Sequence, residues 1–178
     1  MHSHITRYDK MPIPPIKEQT EYVEAGAVTI GVEFRLVNAD VSKASNLETA
    51  GGEDTGNREA EDRGVALHVF GKERGELVEY LRFDCFDEDP HYHYVSWKNK
   101  SNEMLHLDPI AEGDALEWAL GCIQSRLPQM LARAGAADLA KRVDPVAIAA
   151  ALPRVTDAAY RARFHSDAGR ILQGALKR

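Results

Sequence analysis

From position 21 to 37 apolar and polar residues alternate, with Val28, Ile30, Val32, Phe34 and Leu36 on one side and Thr29, Gly31, Glu33 and Arg35 on the other. Period two in β-branched and aromatic residues predicts a strand, because successive strand side chains point to opposite faces. A shorter strand over 21–25 precedes it and turns at Gly26. The same period returns later. Residues 64–71 put Val65, Leu67 and Val69 on one face and His68 and Phe70 on the other, and 71–75, bounded by Gly71 and Gly75, suit a hairpin connection. Residues 76–86 and 91–98 make two strands around an acidic turn, and 104–107 make an edge strand. Sequential strands with short connections predict an antiparallel meander over 64–108.

Beyond Asp108-Pro109 the period changes. Leu116, Leu120, Ile123, Leu127 and Leu131 recur at three- and four-residue steps, an amphipathic helix capped by Asp114 and stopped at Gly135. Pro128 either kinks this helix or opens a second one. Asp144-Pro145 starts a helix that Pro153 ends, Thr156-Asp157 caps another through Phe164, and 166–177 forms the last. Strands first and helices afterwards is the α+β order. The expectation is a single α+β domain over 1–178, with an antiparallel sheet of about five or six strands in the N-terminal two thirds. Helices in 111–178 cover one face.

Two stretches carry neither period. Residues 1–19 contain Pro12-Ile13-Pro14-Pro15-Ile16. Proline fixes φ and lacks the amide donor, so this is an extended proline-rich arm lying on the body or on a neighbouring subunit. His2 and His4 belong to its solvated tip. Residues 38–63, rich in Ser, Asn, Gly, Glu and Asp, form a long polar loop, a lid or a disordered insert.

Composition narrows the class. With 44% hydrophobic and 28% charged residues, the 178-residue chain is globular rather than disordered. No apolar run approaches the ~20 residues that cross a bilayer, and the first residues lack a secretion signal, so no membrane partner and a cytoplasmic location are expected. Cys85 and Cys122 sit among apolar neighbours in different elements and read as free thiols. The net charge of −6 is uneven: residues 1–110 carry 12 Lys/Arg against 21 Asp/Glu (−9), residues 111–178 carry 10 against 7 (+3). No nucleic acid is expected, because binding it requires a contiguous basic surface.

Chemistry concentrates in two places. The first is the acidic turn with His91 and His93, which lie two apart on one strand and therefore share a face. Asp87, Glu88 or Asp89 can add a carboxylate and His106 can reach across from the next strand, a mixed N/O ligand set that suits a divalent transition metal such as zinc. Val95 and Trp97 share that face, which also accommodates structural histidines held by hydrogen bonds. Tyr92, Tyr94 and Trp97 add an aromatic ligand wall or interface.

The second place is the polar sheet face: Glu33, Arg35, His68, Arg82 and Asp84 fall opposite the apolar alternation. There Asp84 can orient His68, and Arg35 or Arg82 can hold an anion, which permits acid–base chemistry. The plainer expectation is a solvated face with cross-strand ion pairs. Nucleophilic catalysis has no local signature, since Cys85 lacks an adjacent activating cation.

No complete catalytic constellation stands out. The leading expectation is therefore a non-catalytic interaction or accessory protein, binding a protein partner or a second copy through its sheet face or N-terminal arm. The alternative is a small metal-dependent or acid–base enzyme centred on the His91/His93 hairpin.

Overall fold

The computed structural model describes residues 5–37 and 62–176. His2, His4 and nearly all of the polar loop lie outside the described residues. The strands are β1 (Ile5–Tyr8), β2 (Thr20–Ala25), β3 (Val28–Val37), β4 (Asp62–Glu73), β5 (Glu76–Phe86), β6 (His91–Ser96) and β7 (Ser101–His106). They form one antiparallel sheet in the order β1-β7-β6-β5-β4-β3-β2. The expected meander is present, with seven strands rather than five or six. The additional strand comes from the arm. Its prolines begin at position 12, so residues 5–8 keep their amide donors and pair with β7. The expected edge strand over 104–107 is thereby an inner strand that starts at Ser101.

The helices are α1 (Pro109–Glu112), α2 (Ala115–Ser125), α3 (Leu127–Arg133), α4 (Ala137–Ala140) and α5 (Pro145–Leu176). Asp108 caps α1 and Asp114 caps α2 through side-chain acceptors on the first backbone amides. Pro128 stands in the first turn of α3, where its missing N–H leaves no bond unmade. The three expected C-terminal helices are instead one, with Pro153 inside it. Proline removes one helical hydrogen bond there, but Ile148, Ala151, Val155, Ala158 and Ala159 on both sides of it are buried in the core. Burial of that continuous stripe outweighs the local penalty.

One sheet face and the helices enclose the core: Val23, Ile30, Val65, Leu67, Val69, Leu81 and Phe83 pack against Leu116, Ile123, Leu127, Leu131, Ile148 and Val155. Tyr92, Phe83 and Trp118 make ring contacts on this side, and Arg133 lies over Tyr94. These tyrosines therefore belong to the helix side and not to a wall around the histidines. Trp97 lies beyond the end of β6 and is covered by Lys100. The β4–β5 connection is a two-residue turn at Arg74 and Gly75, both at positive φ (52° and 88°), as the twist of a tight hairpin demands.

The opposite face is polar, and it is not solvated as expected. Because β1 and β2 sit at opposite edges, the chain between them must cross the sheet. Seven strands about 4.8 Å apart span roughly 29 Å, and the 12 Cα–Cα steps from Tyr8 to Thr20 reach at most roughly 40 Å. The crossing is therefore nearly straight. The Pro-rich stretch keeps it extended, and a short 3-10 turn at Lys17–Gln19 takes up the remaining length. Its contacts follow the strand order. The Lys10 carbonyl accepts from Asn102 on β7, the Ile13 carbonyl from Arg82 on β5 and Arg35 on β3, and the Ile16 amide donates to Glu33 on β3. The arm is a strap over charged residues.

Candidate functional site

Register places the polar residues in rows across the sheet. Glu33, Ala66, Asp84, His91 and His106 form one row, and Gly31, His68, Arg82, His93 and Met104 the next. Both expected clusters thus lie on one face, and neither has the membership expected.

Toward β3 and β4 stands a buried ionic network. His68, with no exposed surface, bonds Glu79 through Nδ1 at 2.6 Å and Glu33 through Nε2 at 3.1 Å. Glu79 accepts from Arg82 Nε at 2.9 Å and Nη2 at 2.7 Å, and Arg82 Nη2 continues to the Ile13 carbonyl at 2.6 Å. His68 is therefore oriented by Glu79 and Glu33, not by Asp84. Gly31 makes room for this packing: a Cβ there would lie 2.9 Å from the Phe70 ring, which stacks on His68.

Glu79 escaped the strand alternation, which groups it with Leu77, Leu81 and Phe83. The β4–β5 register shifts between Val69 and Phe70, so Tyr80 is an extra residue that lies in the core with Leu81. A bulge of this kind reverses the faces on one side of itself. Glu79 and Arg82, three apart, then meet on the polar side. The one signal in the sequence was a lone glutamate within an otherwise apolar alternation.

Burial disfavours the charged form of His68, but its bonds to Glu33 and Glu79 outweigh that and raise its pKa. Burial likewise opposes ionisation of Glu79, yet the Arg82 charge and His68 bring its pKa down to about 2. A raised histidine pKa adds stability that is complete below the unfolded value of 6.5 and lost as pH rises through the folded value. The depressed Glu79 adds stability that is complete above 4.5 and lost toward about 2. Urea unfolding across pH 5 to 9 is expected to show stability declining above roughly 6.5, with a smaller decline in His68→Gln. An undiminished decline in that variant would remove His68 as its source.

Toward β6 the side chains form a second constellation. His91 Nδ1 lies 2.7 Å from the Asp89 carbonyl, which only accepts, so this nitrogen carries its proton. His93 Nδ1 lies 2.9 Å from Asn102 Oδ1, and the Asn102 amide is fixed because its Nδ2 donates to the Lys10 carbonyl. His93 Nδ1 is a donor as well. Both rings thus turn Nε2 toward the same atom, Asp84 Oδ2, at 3.4 Å and 3.3 Å. The other oxygen, Asp84 Oδ1, is buried without a hydrogen-bond partner. Burial opposes ionisation of Asp84, but His91, His93 and the Arg82 charge hold its pKa well below the usual carboxylate range.

The remaining metal candidates point elsewhere. Asp89 binds His106 at 2.7 Å, and Asp87 lies 3.7 Å from Arg63. The Asp62 carboxylate accepts from the Glu88 and Asp89 amides and so turns these acids outward. His106 faces His91 across the strands at 6.0 Å between ring centres, but bonds Asp89. The Cys85 thiol, pushed up in pKa by burial and then by Asp84, stays protonated and is no nucleophile.

Asp84, His91 and His93 together present ligand atoms within 4.8 Å of one another. They open onto a cavity of about 320 Å³ between the sheet and the strap, lined also by Tyr8, Met11, Arg35, Arg82, Phe86 and Met104. Arg35, with 9% of its surface exposed, hydrogen-bonds through Nη1 to the Ile13 carbonyl at 3.3 Å and lies 3.8 Å from Glu33.

A family model described as Domain of unknown function (DUF7700) matches residues 22–159. The chain belongs to this family. The DUF7700 range runs from within β2 into α5, so it contains the ionic network and all three candidate ligands, while the strap precedes it. No curated protein and no solved structure matches the chain.

Proposed function

We propose that this chain binds one divalent transition-metal ion, such as zinc, at Asp84, His91 and His93, and uses it to bind or transform a small molecule in the cavity under the strap. One observation carries the reading: two imidazoles whose Nδ1 protons are already committed both aim Nε2 at a single carboxylate oxygen. With both imidazoles neutral, each of those contacts sets a nitrogen lone pair against an anionic oxygen, an arrangement that a bound cation relieves. Anchoring Nδ1 on oxygen acceptors is also the usual outer-shell support of metal-binding histidines, fixing tautomer and ring angle. Two histidines and one carboxylate leave coordination positions open for substrate or water. An ion there would supply Lewis acidity and lower the pKa of a bound water.

A metal-free acid–base reading has one observation in its favour. Burial disfavours the charged form of His91, but its contact with Asp84 outweighs this and raises its pKa, so a single proton shared by the pair gives a histidine–carboxylate dyad on the cavity. The accessory-protein reading relied on the sheet face and the arm, and these two surfaces engage each other here. Among the described residues Cys85 and Cys122 are free, which fits a reducing compartment such as the cytoplasm. No helix of the described residues is long and apolar enough to cross a membrane.

Untagged full-length protein, dialysed against equimolar zinc, cobalt, manganese and iron(II) under argon, is expected to retain close to one metal per chain by elemental analysis. The His91→Ala/His93→Ala variant should retain less than a tenth of that with an unchanged circular dichroism spectrum. A wild-type protein that retains none of the four sinks the metal reading and leaves the dyad.

A further inference from the structure

We propose that the ligand of this cavity is a small carboxylate, coordinated to the metal at Asp84, His91 and His93 and ion-paired to Arg35 at the other end of the same pocket. The inference rests on the metal reading and adds the chemical class of what the metal meets.

The buried charges set the requirement. Of the four buried carboxylates on the polar face, Asp62 is held by the backbone amides of Glu88 and Asp89, and the other three, Glu33, Glu79 and Asp84, are matched by Arg35, Arg82 and a protonated His68 between its two glutamates. That set is neutral. A divalent ion held by neutral His91 and His93 adds two positive charges beyond that balance, and Asp62 and Asp89 at the neighbouring turn offset them only from outside the cavity lining. Charge in a buried site is costly unless paired, so the loaded site favours an anion over a neutral molecule.

Three cations line the cavity, and Arg35 is the buried one best placed to receive it, since Lys10 sits half-buried on the strap. Arg82 is engaged by both Glu79 oxygens and the Ile13 carbonyl. Arg35 makes one hydrogen bond among the described residues, at 3.3 Å, while its side chain lines the cavity. A planar guanidinium matches a carboxylate with two parallel donors. Arg35 and Asp84 stand on β3 and β5, and β4 between them carries only Ala66 and Gly64 on this face at those rows. Neither adds a long side chain between them, and Arg35 and Asp84 line the same cavity. A volume of about 320 Å³ is at the low end for ligand pockets, which restricts the occupant to a small molecule.

The test uses full-length protein loaded with cobalt(II), whose visible spectrum reports its coordination sphere. Oxalate, a small carboxylate, is expected to change that spectrum saturably, whereas oxamide, its neutral counterpart of the same shape, should not. Arg35→Gln should weaken oxalate at least tenfold while binding cobalt within about threefold of wild type, and Arg35→Lys should recover part of the loss. Oxamide binding as tightly as oxalate, or oxalate affinity unaffected by Arg35→Gln, overturns the proposal with the metal site intact. Failure to bind cobalt, zinc, manganese and iron(II) alike overturns both readings, and the wild-type comparison of oxalate with oxamide stands even if Arg35→Gln does not fold.

Discussion

Glu79→Gln is expected to destabilise the protein by about 3–5 kcal/mol, the usual cost of removing one member of a buried ion pair. For a chain of this size that corresponds to a fall in Tm on the order of 10 °C. The substitution keeps the side chain's shape, so no cavity opens and the loss reports charge. Glu79 is the shared acceptor of Arg82 and His68, and its neutralisation leaves the buried Arg82 guanidinium without its directly bonded carboxylate. His68 can relieve part of the imbalance by releasing its proton, which caps the loss at neutral pH. Thermal and urea unfolding at pH 7 measure it. A change below about 1 kcal/mol would mean that Arg82 is solvated and that the strap does not seal this side of the sheet.

The sheet was legible where the alternation was clean. Strand β3, the meander, the cap at Asp114 and the break at Pro128 follow from local patterns that tertiary packing did not need to override. The arm also read correctly as extended. Its role did not, because crossing the sheet depends on where β1 pairs, and a four-residue edge strand has no periodicity of its own. That one unread pairing explains why a face expected to be solvated is buried. Pro153 misled in the other direction, as burial of Ile148, Val155 and Ala159 overrode a local helix breaker.

The site was half legible for related reasons. His91 and His93 were visible as a same-face pair, and Asp84 as a polar-face residue of its own strand. Their convergence needed the β5–β6 register, which sets Asp84 opposite His91. The turn acids Asp87 and Asp89 were nearer in sequence and looked the better ligands, but the last residues of the polar loop hold the turn otherwise: the Arg63 carbonyl accepts from the Asp87 amide and the Asp62 carboxylate from the Glu88 and Asp89 amides. Proximity along the chain was the wrong guide to proximity in space.

Two carboxylates on the same face of β5 therefore deserve opposite assignments, and the second prediction separates them. Every Glu79 oxygen has a partner, whereas Asp84 Oδ1 has none and Oδ2 faces two imidazole nitrogens. A satisfied buried group serves the fold, and an unsatisfied one is a candidate for a ligand. With metal at 100 times its Kd, linkage stabilises the native protein by about 2.7 kcal/mol. That is a Tm rise of roughly 5–11 °C for a chain of this length. Asp84→Asn is expected to abolish the rise by weakening metal binding ~100-fold or more, a loss at or beyond the 10–100-fold that outer-shell changes bring. Glu79→Gln should start from a lower Tm and still show the rise. Each variant is compared with its own metal-free form in differential scanning calorimetry, so a change in intrinsic stability does not disguise a change in binding. A full metal-dependent rise in Asp84→Asn would mean that the ion binds elsewhere, and the orphaned oxygen would then have to be explained by the dyad alone.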